Sequence, residues 1–117
     1  MIAIDHEGPL VTVAVLGEFT LADYAEFEEL VNYKVNFEGQ VDLYFDLREM
    51  AGFTIDVIWE DIKFSRAHAS DFRRIAVVTD NQWITWSAWL SKSFINADLR
   101  VFDDADADEA LSWIKSD

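Results

Sequence analysis

The chain has 117 residues, 51% of them hydrophobic and 15% aromatic, with no cysteine. That is one domain with ample apolar material for a core, and the missing cysteines exclude disulfide frameworks, zinc knuckles and thiol catalysis. Nine Lys and Arg stand against 23 Asp and Glu, a net charge of −14, which repels nucleic-acid phosphates and anionic membrane surfaces.

The first two elements read as a hairpin. Ile2–Asp5 is short, Gly8-Pro9 makes the turn, and Leu10–Leu16 (LVTVAVL) is a β-branched run ended by Gly17. Thr20 then opens TLAD, an acidic version of a capping box. The helix it starts, Leu21–Val35, puts Leu21, Tyr24, Phe27, Leu30 and Val31 on one stripe and leaves its acids for water. Gly39 breaks the chain before the strand Val41–Leu47. Alternation there separates Val41, Leu43, Phe45 and Leu47 from Asp42, Tyr44 and Asp46.

A turn, REMAG, follows, and Thr54 caps a second helix over Ile55–Ala69. Arg74–Thr79 is the continuous apolar run of a central strand covered on both faces. Asp80 or Asn81 caps a third helix, Gln82–Ile95. Leu99–Phe102 is a short last strand, and Asp104 or Asp106 introduces a final helix, Asp108–Lys115. The order β-β-α-β-α-β-α-β-α predicts an α/β domain spanning residues 1–117. Its sheet is mixed but mostly parallel, with four helices and one antiparallel edge strand from the opening hairpin.

Two of those helices carry more apolar surface than a sheet face needs. In Ile55–Ala69, the residues Ile55, Ile58, Trp59 and Ile62 make one stripe, while Val57, Phe64 and His68 make another. The second stripe is either a widened core face or the wall of a groove or interface. In Gln82–Ile95, Trp83, Trp86 and Leu90 share a stripe, with Phe94 near it and Trp89 and Ile84 pointing elsewhere. Such a helix is buried on two sides or sticky on one, and tryptophan is enriched at interaction hot spots. It lacks the Lys/Arg-rich polar face of a peripheral membrane helix.

Chemistry is sparse. The two histidines, His6 and His68, form no metal-ligand spacing. Asp61 or Asp71 could orient His68, but a histidine closing a helix is more economically a partner of the dipole. No nucleophile elbow or glycine-rich phosphate loop is present. The acidic run at 103–109, DDADADE, lacks the glycine and glutamate of a calcium loop and suits the start of a helix instead. The opening decapeptide has no basic segment followed by an apolar one, and no apolar run reaches the roughly 18–20 residues of a spanning helix. The expectation is a cytoplasmic protein without stable membrane insertion, enzymatic activity, cofactor or metal.

With this element order, the runs DLREMAGFT, WEDIKF, H-x-x-DFRRIAVVTD and W-x-x-W resemble the SpoIIAA-like branch of the STAS domains. That group is structurally related to the CRAL-TRIO lipid-transfer fold. The resemblance implies a small domain with a four- or five-stranded sheet and helices largely on one side. In the anti-sigma-factor antagonists of the group, a phosphorylatable serine opens the second helix in a D-S-S-G-like turn. The turn here is EMAGFT, where Thr54 is the nearest hydroxyl and is also explained as an N-cap. The CRAL-TRIO kinship implies apolar ligands.

The expected function is a non-enzymatic binding domain that holds an apolar or lipid-like small molecule, or a partner, between the second and third helices. Its candidate residues are Phe53, Trp59, Phe64, His68, Trp83 and Trp86. The alternative is a regulatory protein–protein interaction module, meeting a regulatory protein or a second copy in a homodimer, without the usual serine switch; Thr54 is its one phosphorylation candidate. Nucleic acid is not an expected partner.

Overall fold

The computed structural model describes residues 1–53, 71–80 and 97–116. Strands β1 (Ile2–Glu7) and β2 (Leu10–Val15) form an antiparallel hairpin. Its two-residue turn takes a positive φ of 54° at Gly8, the conformation that glycine supplies at the first position of such turns. β3 (Gly17–Phe19) follows at once, then helix α1 (Leu21–Glu38), β4 (Val41–Asp46) and β5 (Met50–Phe53). β6 (Phe72–Thr79), β7 (Asp98–Asp103), a 3-10 turn at Asp104–Asp106 and helix α2 (Ala107–Lys115) complete the described residues.

Five strands make one sheet in the order β1-β2-β4-β6-β7. β1 is the antiparallel edge strand, and the β2–β4, β4–β6 and β6–β7 pairs are parallel. Strand alternation divides the core between the two sheet faces. On one, Val11, Val13, Val15, Leu43, Phe45, Ile75 and Val77 pack with Tyr24, Phe27 and Val31 of α1. On the other, Tyr44, Ala76 and Val78 pack with Ala110 and Ile114 of α2. β6 is thus buried on both faces, as its unbroken apolar run requires.

The N-terminus of α1 is held by the expected capping box. The Asp23 N–H donates to Thr20 Oγ1 at 3.3 Å, and the Thr20 N–H donates to Asp23 Oδ2 at 3.1 Å. Gly39, with φ of 78°, ends the helix. At α2 neither Asp104 nor Asp106 caps with its side chain. Asp106 occupies the N-cap position without a side-chain hydrogen bond, and Asp104 lies in the preceding 3-10 turn.

Several expectations are corrected. Only Arg48 and Glu49 of REMAG form the turn: Met50–Phe53 is β5, paired in parallel with β3 in a separate two-stranded sheet. Strands of three and four residues show no periodicity of their own, and only their pairing reveals them. β2 ends at Val15 and α1 runs on to Glu38. Leu21, placed on the core stripe of α1, is the first residue of the helix and 43% exposed, whereas Tyr24 is buried. Of the described helices, α1 packs on one face of the sheet and α2 on the other. The helices expected at Ile55–Ala69 and Gln82–Ile95 lie outside the described residues, so two of the four are described.

Candidate functional site at the C-terminal end of the sheet

β4 leaves the sheet at Asp46, and the next residues are tightly held. The Leu47 N–H donates to the Val78 carbonyl at 2.8 Å, and the Met50 N–H closes a turn onto the Leu47 carbonyl at 3.1 Å. The Leu47 side chain is fully buried. Across the gap the Gly17 N–H donates to the Glu49 carbonyl at 3.0 Å, which starts the β3–β5 pairing.

Arg48 turns back onto Asp46. Asp46 Oδ1 accepts from the Arg48 N–H and Nε, both at 3.0 Å, and Oδ2 accepts from Nη2 at 2.7 Å. Burial on its own pushes the Asp46 carboxyl up, but the Arg48 donors outweigh it and hold the group below the usual carboxylate range. The neighbouring Tyr44 phenol is pushed up by burial, and the Asp46 and Asp108 charges push it the same way. This corner therefore carries a saturated carboxylate and a protonated phenol. Neither is arranged as a nucleophile with a base beside it.

β5 then places the backbone of Phe53 opposite Phe19. The Phe19 ring is buried against Tyr24 at 5.8 Å and Phe45 at 5.9 Å between centroids. Of the expected site residues, Phe53 alone has its backbone described. Thr54, Trp59, Phe64, His68, Trp83 and Trp86 lie outside the described residues. Among the described residues no group of three His, Cys, Asp or Glu gathers to hold a metal ion. No helix among them is long and apolar enough to cross a membrane.

The opposite end of the sheet holds features that sequence reasoning missed. A register irregularity between Val41 and Leu43 sets both Arg73 and Arg74 against Asp42. Arg73 forms a two-pronged ion pair with Asp42. Arg74 Nη1 donates to the carbonyls of Trp113 at 3.0 Å and Ser116 at 2.8 Å, which satisfies the carbonyl end of α2. The guanidinium carbons of Arg74 and Arg100 lie over the Trp113 ring, 5.4 and 4.8 Å from its centroid. A cleft of about 690 Å³ opens beside them, walled by Glu7, Pro9, Glu38, Asp42, Arg73 and Lys115. The adjacent Arg73 and Arg74 at a strand start were the only local signal. Their partners are remote in sequence, and no period reports such pairs.

Residues 10–115 of the chain match a family model described as SpoIIAA-like. The chain belongs to the SpoIIAA-like family. Among solved structures, this SpoIIAA-like chain is similar to an uncharacterized protein of the DUF3478 family, with a SpoIIAA-like fold, from Shewanella loihica PV-4. That likeness has a TM-score of 0.75 and 20% identity, covering 97% of this chain and 92% of that one. It is also similar to the anti-sigma factor antagonist SpoIIAA in its unphosphorylated form, with a TM-score of 0.63 and 12% identity over the whole of both chains. At these identities the likeness is one of fold. No curated protein matches the chain.

Proposed function

We propose that this SpoIIAA-like chain is a non-enzymatic, cytoplasmic binding domain. Its working surface is the aromatic set Phe53, Trp59, Phe64, His68, Trp83 and Trp86, and it takes an apolar, lipid-like small molecule or the apolar face of a partner. One observation carries this reading. The chain leaves β4 and β6 at the same C-terminal end of the five-stranded sheet, where the Leu47–Val78 hydrogen bond ties the two strands. Open α/β sheets bind ligands outside that end of their strands. Four of the five tryptophans lie in the sequence between β4 and β6 or between β6 and β7.

The test uses oleate as a probe and tryptophan fluorescence as the readout. A saturable change is expected in the wild type, retained in Trp113→Phe and lost in Phe64→Ser and Trp86→Ala. A flat response, with a strict monomer and no partner by light scattering, refutes the proposal.

A second reading is favoured by the fold shared with the anti-sigma factor antagonist. The same surface would then serve a regulatory interaction with another protein or a second copy. The stretch from Asp46 to Phe53 contains neither Ser nor Thr, so the serine switch implied by the resemblance has no residue there and Thr54 is the candidate left. Partner binding that is unchanged by Thr54→Glu disposes of a switch at that residue.

A further inference from the structure

β1 ends the five-stranded sheet, so one side of its backbone has no strand beside it among the described residues. The Leu16 N–H donates to the Met1 carbonyl at 2.7 Å, and the register runs from Ile2 opposite Val15 to Glu7 opposite Leu10. Antiparallel pairs alternate in their hydrogen bonding. Ala3, Asp5 and Glu7 therefore turn their N–H and C=O groups toward β2, while Ile2, Ile4 and His6 turn theirs outward. The Asp5 carboxylate accepts from the outward N–H of His6 at 2.8 Å, which blunts that part of the edge. Among the described residues the edge at Ile2 and Ile4 has no such cover.

A groove of about 350 Å³ runs between this edge and α1, lined by Ile4, His6, Glu26, Glu29, Leu30 and Tyr33. Beyond it Tyr33 and Phe37, one helical turn apart, stack at 4.7 Å while remaining 53% and 73% exposed. Positions 26, 30, 33 and 37 share one helix stripe, so the aromatic pair continues the groove floor made by Ile4 and Leu30. An open strand edge beside an apolar groove is the arrangement that takes up an extended peptide as an extra strand. Main-chain hydrogen bonds then hold the peptide, and the groove selects its alternate side chains.

Charge selects the occupant. Glu26 and Glu29 stand in the groove, Asp5 and Glu7 project from the opposite face of β1, and the chain carries −14 overall. A second copy would bring the same acids to the same edge. We propose that the outer edge of β1 and the Tyr33–Phe37 side of α1 bind an extended segment of a partner protein in which apolar residues alternate with Lys or Arg. The apolar residues enter the groove. The cations on the other face meet Asp5 and Glu7, and the acids of the groove favour a positively charged peptide over an anionic one. This surface shares no residue with the aromatic set Phe53, Trp59, Phe64, His68, Trp83 and Trp86 and does not depend on it.

The probe is a short synthetic peptide alternating valine with lysine, added to the full chain and followed by amide hydrogen exchange. Exchange is expected to slow on the order of tenfold at Ile2 and Ile4, whose amides gain a partner, and not at Ala3 and Asp5, which already have one. Phe37→Ala, at an exposed position, weakens binding roughly tenfold. Ile4→Pro removes an outward N–H together with the Ile4 side chain of the groove floor and abolishes the protection. A peptide alternating valine with glutamate does not bind. The proposal is overturned if protection spreads evenly or is missing, or if a lysine–glycine peptide binds equally well. It is also overturned if Phe37→Ala binds as the wild type does, or if the chain alone dimerises with Ile2 and Ile4 already protected.

Discussion

Arg73 holds Asp42 across the β4–β6 pair with two parallel hydrogen bonds, Nε to Oδ1 at 2.8 Å and Nη2 to Oδ2 at 3.0 Å. The Asp42 side chain is 8% exposed and that of Arg73 is 39% exposed, so the carboxylate depends on the guanidinium more than the reverse. Arg73→Met is expected to cost about 2 kcal/mol, since it leaves a nearly buried charge without its fork. Asp42→Asn costs less, about 1 kcal/mol, and the double variant costs less than the sum. Urea denaturation of the three variants checks this.

The capping box predicts a coupled pair at the start of α1. Thr20→Ala removes the acceptor of the Asp23 N–H and is expected to cost about 1 kcal/mol. Asp23→Ala removes the acceptor of the Thr20 N–H. A double-mutant cycle should return a favourable coupling of about 0.5 kcal/mol or more, because each side chain positions the other. Strict additivity would mean that the two bonds act independently.

Asp46 predicts an acid limb in the stability profile. Burial raises its pKa and the Arg48 hydrogen bonds lower it further than burial raises it, so the folded-state value lies below the unfolded one. The stabilisation is present above the unfolded carboxyl range of about 4 and is lost as pH falls through the lower folded value, where the folded state finally takes up the proton. Urea midpoints for Asp46→Asn and wild type should therefore differ at pH 6 and converge on acidification to about pH 2. A constant gap at all pH would show that ionisation of Asp46 contributes nothing.

Much of this fold was legible because its strands are long or strongly patterned. The alternation in VDLYFD separates the α1 face from the α2 face residue by residue, and the apolar run RIAVVT marks β6 as covered on both sides. β3 and β5 were not legible. Met50–Phe53 contains Ala and Gly, which read as a turn, and becomes a strand only because Gly17–Phe19 lies alongside. The ion pairs of Arg73 and Arg74 were hidden for a related reason, since their partners come from other elements. At the site, the sequence singled out aromatics by helical spacing. Phe53 precedes the expected helix and is set opposite Phe19 by strand pairing, a relation that helical spacing cannot report.

Two apolar residues separate core from surface. Ile114 is 1% exposed in the α2 cluster, and Phe37 is 73% exposed on α1. Ile114→Ala is expected to lose roughly 2–4 kcal/mol and to loosen α2, whereas Phe37→Ala should stay within about 0.5 kcal/mol of the wild type. Thermal unfolding monitored by circular dichroism separates the two. A comparable loss in both would mean that Phe37 serves the fold rather than recognition.

Native mass spectrometry of the chain purified from cells, followed by lipid extraction, decides whether the aromatic set binds. The 13.5 kDa protein is expected to carry a non-covalent passenger, an apolar small molecule or a partner chain, in fixed proportion. Folded Phe64→Ser and Trp86→Ala variants should emerge without it. A bare 13.5 kDa species in the wild type and variants alike, with tryptophan emission indifferent to oleate, would contradict the assignment of those aromatics as a binding surface.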